Sequence, residues 1–256
     1  MIVTRFEGNK IRHLKCGTSD AATVTLSFYV RSSITGTHGG AFRNHDSSQR
    51  AYPFTYTISS ADTWERKTIT LTLDTTGTWN TDENVGLQIQ WGLGVGTDFS
   101  ATADEWGDGD KNSATGATTA MLSTSGATWY ITGVQLEIGS VANAFEHKAL
   151  SEYEKDCYRY FYKIVRNDAY GEFLVIRTYS STQGTGVMIL PAPMRVQPTF
   201  TSTSVSGNFS YGMSVPAMST TDISSHRLAT HNAVGAFTAN GAAVVQKANN
   251  TDLVFM

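Results

Sequence analysis

The chain has 256 residues, a formal net charge of −3 and only 16% charged residues. That length holds one large or two ordinary domains, and the near-neutral balance argues against a nucleic-acid or polybasic membrane-surface partner. No apolar run approaches the ~20 residues of a bilayer-crossing helix, and the opening MIVTRFEGNK lacks the apolar core and cleavage site of a signal peptide. A soluble protein with no membrane insertion, not secreted by the standard route, is therefore expected.

Thr, Ser, Gly and aromatics take the place of the missing charges, which reads as all-β. Ala22 to Ser32 puts Val24, Leu26, Phe28 and Val30 on one face and Thr23, Thr25, Ser27 and Tyr29 on the other, the period of a strand with one buried face. Tyr52 to Ile58 repeats the pattern through Phe54, Tyr56 and Ile58, and Pro53, with no N–H to give, places that strand's start or a sheet edge there. Trp64, just before the next strand, is assigned to the core. Arg66 to Leu73 alternates Ile69, Leu71 and Leu73 with threonines. Val85 to Val95 alternates large apolar residues with Gly and Gln, and its small outward face is read as relief of crowding on a curved sheet rather than as a seat for another surface. In Trp129 to Ile138 the apolar phase shifts at Gly133, where a bulge would bring Trp129, Ile131, Val134, Leu136 and Ile138 to one face. The connectors SSITGTHGG, DTTGTWNTDEN and ATADEWGDGDKNSATGATT hold turn residues, and the whole set indicates a sandwich or jelly roll.

Ala149 to Cys157 is the best helix candidate, with Ser151 and Glu154 in capping-box spacing and Leu150, Tyr153 and Cys157 on one face. Strands are expected from Tyr158 to Val165, Glu172 to Tyr179 and Thr185 to Leu190. LPAPMRVQPTF forms an extended edge crossing, and weaker strands follow at Phe200 to Val215, Ala233 to Phe237, Ala242 to Gln246 and Thr251 to Phe255. The organisation is a domain over 1–148, a linker helix over 149–157 and a smaller β-sandwich domain over 158–256. Weak alternation in the last part suggests help from partner chains.

Little in the sequence points to catalysis. The histidines stand in no metal spacing and no GxSxG occurs. His38 and His45, with Asp46, read as solvated loop residues. Asp104, Glu105, Asp108 and Asp110 surround Trp106 in an acidic loop, but sequence proximity does not set two carboxylates across a sugar. The DGDKN run lacks the sixth-place Gly and twelfth-place Glu of an EF-hand. Cys16 and Cys157 read as free thiols. Glycan binding is the other functional reading, with Trp79, Trp106 and Tyr170 as the candidate aromatics; for each the alternative is a core or interface role.

Five stretches occur in an order that resembles a module of bacteriophage tail-fibre and other virion structural proteins, especially those of marine and cyanobacterial phages. They are RFEGNKIRHLKCGTSDAATVTLSFYVRSS, YTISSADTWERKTITLTLDTTGTW, WYITGVQLEIGSVANAFEHK, CYRYFYK and PAPMRVQPT, spanning roughly 1–200. The resemblance implies a carbohydrate-binding-module-like jelly roll followed by a small distal β domain, in a non-enzymatic virion protein that trimerises and mediates host attachment through surface glycan. It implies Glu7 and Glu137, with Gln135, as the positions to test for a structural calcium; the alternative is that Glu7 and Glu137 face solvent or pair with Lys and Arg. The same resemblance admits a capsid-associated head fibre, decoration or connector protein, and less readily a polysaccharide depolymerase. One departure matters: related jelly rolls begin some tens of residues before the RFEG segment. Either an upstream part is missing or the first strand is abbreviated, and in the second case residues 1–20 offer an open sheet edge to another virion protein.

Overall fold

A computed structural model describes residues 1–45 and 49–164, then residues 172–178, 184–187, 189–196, 200–202, 209–211, 221–224, 227–230, 242–247 and 253–255. The chain is all-β in character and divides into two compact units, Met1–His147 and Lys148–Met256.

The first unit is a two-sheet sandwich. One sheet is antiparallel and holds, in spatial order, β1 (Ile2–Glu7), β6 (Val85–Gly92), β3 (Gly36–Arg43), β4 (Arg50–Ile58) and β8 (Gly107–Asp108). The other holds β10 (Trp129–Ile138), β2 (Thr23–Ser32) and β5 (Glu65–Thr72). A short parallel pair, β7 (Ser100–Ala101) with β9 (Ser113–Ala114), lies in the acidic loop. The helical turn α1 (Gly8–Ile11) and a 3-10 turn at Arg12–Leu14 follow β1.

The period-2 patterns explain the core. Val24, Leu26, Phe28 and Val30 of β2 are fully buried, as are Leu87 and Ile89 of β6. Phe28 bridges the sheets, edge-on to Tyr56 at 5.3 Å and to Trp91 at 5.6 Å. Fully burying side chains of this size contributes roughly 1.5–3 kcal/mol each over leaving them exposed. Pro53 sits in β4 where the short β8 pairs only Arg50 and Ala51, so its missing N–H breaks no described ladder. On the outer face of β2, Thr23 meets Thr72 and Thr25 meets Thr70, each at 3.0 Å.

Several expectations are corrected. The Gly-rich connector SSITGTHGG is not a loop; most of it belongs to β3, which lies between β6 and β4. A Cβ on Gly40 would strike the Gln90 carbonyl and the Phe54 ring, and one on Gly39 would strike Ser113 and Ala117. The glycines are there for packing, not for turning. His38 is consequently no solvated loop residue. It is fully buried, stacked on Tyr56 at 5.5 Å, with Nε2 3.2 Å from the Ile34 carbonyl. His45 is exposed, as expected. Trp64 is 46% exposed, not core. It sits at the tip of the β4–β5 connection, where Glu65 accepts the Ser59 and Ser60 amides at 2.8 Å each. The small outward face of β6 does seat another surface: a Cβ on Gly86 would meet Gly8 Cα of α1 at 2.6 Å.

In β10 the register slips between Thr132 and Gln135, with Gly133 at φ 57°, so the bulge is where the sequence put it. Trp129, Ile131 and Leu136 pack on the core, but Val134 and Ile138 stay exposed. β10 is an edge strand, pairing only with β2 among the described strands.

The second unit begins with α2 (Leu150–Tyr158), whose N-cap is Ala149 with no side-chain cap. Ser151 lies inside the helix, so the capping box does not form. The helix runs through Tyr158, which shortens the expected strand there to β11 (Tyr162–Ile164). β12 (Glu172–Thr178), β13 (Gly184–Val187), β14 (Phe200–Ser202), β15 (Phe209–Tyr211), β16 (Thr221–Ser224), β17 (Arg227–Thr230), β18 (Ala242–Lys247) and β19 (Leu253–Phe255) follow. They form a three-stranded sheet, β11-β19-β14, and a six-stranded sheet, β15-β18-β12-β13-β17-β16. β16 and β17 were not expected from the sequence, and the Ala233 to Phe237 strand falls outside the described residues. Cys16 and Cys157 are free.

Candidate functional site

The two tryptophans placed in separate loops meet. Trp79 and Trp106 contact edge-to-face at 5.6 Å and 84°, and Tyr52 packs on Trp106 at 5.5 Å. The loop carrying Trp79 is fixed by Asp74, a buried carboxylate that takes the Thr76 amide and hydroxyl at 3.0 Å each and the Arg50 guanidinium at 2.6 and 3.2 Å. These charged hydrogen bonds hold Arg50 firmly protonated, its pKa raised first by Asp74. Trp79 donates Nε1 to the Thr76 carbonyl at 3.0 Å and is 8% exposed; Trp106 donates to the Thr72 carbonyl at 2.9 Å and is half-buried. Only a margin of the Trp79 ring therefore reaches solvent. Tyr170 lies outside the described residues.

The acidic loop is held down by ion pairs. Asp108 binds Arg50 at 2.7 Å, and Asp110 binds Arg43 at 2.5 Å. Beneath it, a polar chain crosses the outer face of the five-stranded sheet. Arg5 donates to Gln88 at 3.3 Å, Gln88 to Gln90 at 2.9 Å, and Gln90 and Arg43 each to Asn112 at 2.6 Å. Gln88 and Gln90 are buried, so this face is filled by the chain's own loop.

Glu7 lies in the five-stranded sheet and is buried, whereas Gln135 and Glu137 lie in the three-stranded sheet. Gln135 donates to the Ala144 carbonyl at 3.2 Å and accepts the Glu146 amide at 2.7 Å. Glu137 accepts the Asn143 amide at 3.1 Å and its side-chain Nδ2 at 2.8 Å. Hydrogen bonds from Gln135 and then Asn143 hold the Glu137 carboxyl below its usual range. Calcium asks for six to eight oxygens around one point. With the Gln135 and Glu137 oxygens committed to N–H donors, these three residues do not fit such a cage. Among the described residues no three His, Cys, Asp or Glu side chains form a metal-sized group.

A hollow of about 310 Å³ opens beside Trp79, lined by residues of the Ile11–Asp20 stretch, among them Arg12, Lys15 and Cys16, and by Asn80 and Thr81. Local hydrogen bonds pre-set its wall. Lys15 adopts a left-handed conformation at φ 55°, the Thr18 hydroxyl donates to the Lys15 carbonyl at 2.8 Å, and the Gly17 amide donates to the Asp74 carbonyl at 2.7 Å. A Cβ on Gly17 would collide with Trp79 Cδ1 at 2.9 Å. The Asn80 side chain donates to the Val85 carbonyl at 3.0 Å. Lys15 pairs with Asp20 at 3.2 Å, while the exposed Arg12 guanidinium makes no ion pair or hydrogen bond among the described residues. Burial pushes the Cys16 thiol up to about 11, so it is a neutral wall atom and not a nucleophile.

Sequence reasoning reached Trp79 but missed Arg12, Lys15 and Asn80, whose types carry no motif at their spacing. No protein-family model matches the chain, and no curated protein sequence matches it.

Proposed function

We propose that the chain is a non-enzymatic structural protein of a phage virion, a tail-fibre or receptor-binding component that acts in host attachment as a homotrimer. The observation that carries the non-enzymatic part is the engagement of Asp108 and Asp110 by arginines. A glycosidase needs two carboxylates free to face each other across a sugar; Asp108 and Asp110 serve as anchors, which leaves the sequence neighbours Asp104 and Glu105 as the exposed carboxylates of this loop. The virion part rests on the five-segment resemblance. The segment RFEG ends β1, whose outer edge carries no strand among the described residues and whose Ile2 is exposed. Residues 1–20 are accordingly the proposed dock for another virion protein.

Labelling the chain in intact particles tests the reading. A tail position and binding of the purified chain to host cells are expected; a capsid position, or release of sugar from host envelope, overturns it. Light scattering tests the trimer: a mass near the monomer's 27.8 kDa removes it.

A further inference from the structure

We infer that the Trp79 hollow is a subsite for an acidic sugar unit, a hexose carrying one carboxylate or sulfate, and that Arg12 is its charge-reading residue. This deepens, and rests on, the host-attachment role proposed above, for which the five-segment resemblance implies a surface glycan. The volume lies at the lower end of the ~300–1,000 Å³ range of small-ligand sites. The walls carry a mixture suited to a saccharide. The open margin of Trp79 and the side chain of Ile11 offer apolar surface to C–H groups, while the Thr81 hydroxyl and the Asn80 amide groups not used on the Val85 carbonyl offer polar contacts. Charge selects the class. Of the two cations at the rim, Lys15 is neutralised by Asp20, and Arg12 alone is left without an intramolecular partner among the described residues. One planar guanidinium suits one carboxylate or sulfate, bound by two parallel N–H donors. A nucleotide fits less well. It brings several phosphate charges to a single free cation, and its base needs an open aromatic face, which Trp79 at 8% exposure does not give. The hollow is also pre-formed, because the Thr18 hydroxyl on the Lys15 carbonyl and the Gly17 amide on the Asp74 carbonyl hold the wall before any ligand arrives.

The test uses the whole chain and three probes: an oligogalacturonate, a sulfated galacto-oligosaccharide and a neutral galacto-oligosaccharide. Calorimetry gives affinity. Tryptophan fluorescence gives location, since all five tryptophans lie between residues 64 and 129. At least one acidic probe is expected to bind and to change the emission, with the neutral probe weaker by about tenfold or more; the better acidic probe tells carboxylate from sulfate. Arg12→Gln, at an exposed position, is expected to weaken the acidic probe by about tenfold, and Thr81→Val to weaken it as well. Lys148→Gln, which removes the same charge in the second unit, leaves binding unchanged. No binding by either acidic probe overturns the inference. So does equal binding of the neutral probe, equal loss in Lys148→Gln, or full binding by Arg12→Gln. None of these outcomes moves the chain off the virion, which particle labelling decides separately.

Discussion

Acidification tests the burial of His38. Its ring is fully buried against Tyr56, the residue is held below its ordinary pKa mainly by burial, and the contact to the Ile34 carbonyl only partly opposes the shift. The unfolded chain takes up a proton on this residue near pH 6.5, while the folded chain resists doing so. The unfolded state therefore binds more protons below that pH, and stability present above about 6.5 falls as the pH drops. One such group sets a slope of at most about 1.4 kcal/mol per pH unit. Between about pH 7.5 and pH 5 the loss is up to about 2 kcal/mol if folded His38 stays neutral throughout. Urea melts of the whole chain followed by tryptophan emission report the first unit alone, because the second unit has no tryptophan. His38→Phe keeps a ring on Tyr56 and removes the titration, so its stability is expected to change little over the same range. If the variant keeps the full acid loss of the parent, or the parent shows none, the burial argument for His38 is wrong.

Arg50→Met leaves Asp74, 2% exposed, without its charged donors and is expected to cost about 3–5 kcal/mol in the same melts; adding Asp74→Asn should recover part of the loss, and no recovery would refute the pairing. Gly40→Ala drives a methyl into the Gln90 carbonyl and the Phe54 ring, and is expected to destabilise the first unit by about 1–3 kcal/mol; a neutral result would show that β3 is not packed as described. A calcium chelator should leave the melting temperature unchanged, because the Gln135 and Glu137 oxygens already have donors; a fall on chelation would restore a calcium at these residues.

The strands β2, β4, β5 and β6 were legible because each sets apolar side chains toward the core and polar or small ones on the other face, which writes a period of two into the sequence. β3 was not, since packing under the Ser113–Ala117 loop demanded Gly39, and packing against Phe54 demanded Gly40; those glycines imitate a turn. His38 was misplaced for the same reason. The helix was legible from its apolar stripe, but its cap was not, because Ala149 starts it without a side-chain bond. The candidate site was readable only at Trp79. Besides Asn80 and Thr81, its walls come from the Ile11–Asp20 stretch, which the long-range contact of Gly17 with Asp74 ties to the loop carrying Trp79. The Arg50–Asp108 pair, 58 residues apart, is likewise invisible to local pattern.

These contacts also decide where the first unit can meet anything else. Residues 139–147 cross the outer face of the three-stranded sheet. The Thr25 hydroxyl donates to the Gly139 carbonyl at 2.7 Å, Gln135 and Glu137 hold residues 143–146, and Arg66 of β5 donates to the Asn143 carbonyl. The acidic loop, pinned by Arg43 and Arg50, covers the buried glutamines of the other sheet. A broad sheet face normally offers a ligand its largest surface, and in this unit each face carries a segment of the same chain, held there by these bonds. Among the described residues of this unit, the outer edges of β1, β5 and β10 carry no further strand, and the hollow beside Trp79 stays open. An edge offers backbone hydrogen bonds, which suit another polypeptide strand. A hollow with one free guanidinium offers charge and shape, which suit a small acidic group. The β1 edge and the hollow both lie within or beside residues 1–20, but the edge belongs to Ile2–Glu7 and the hollow begins at Ile11, so under the proposed reading a substitution at Arg12 should weaken the ligand and spare a strand docked on β1.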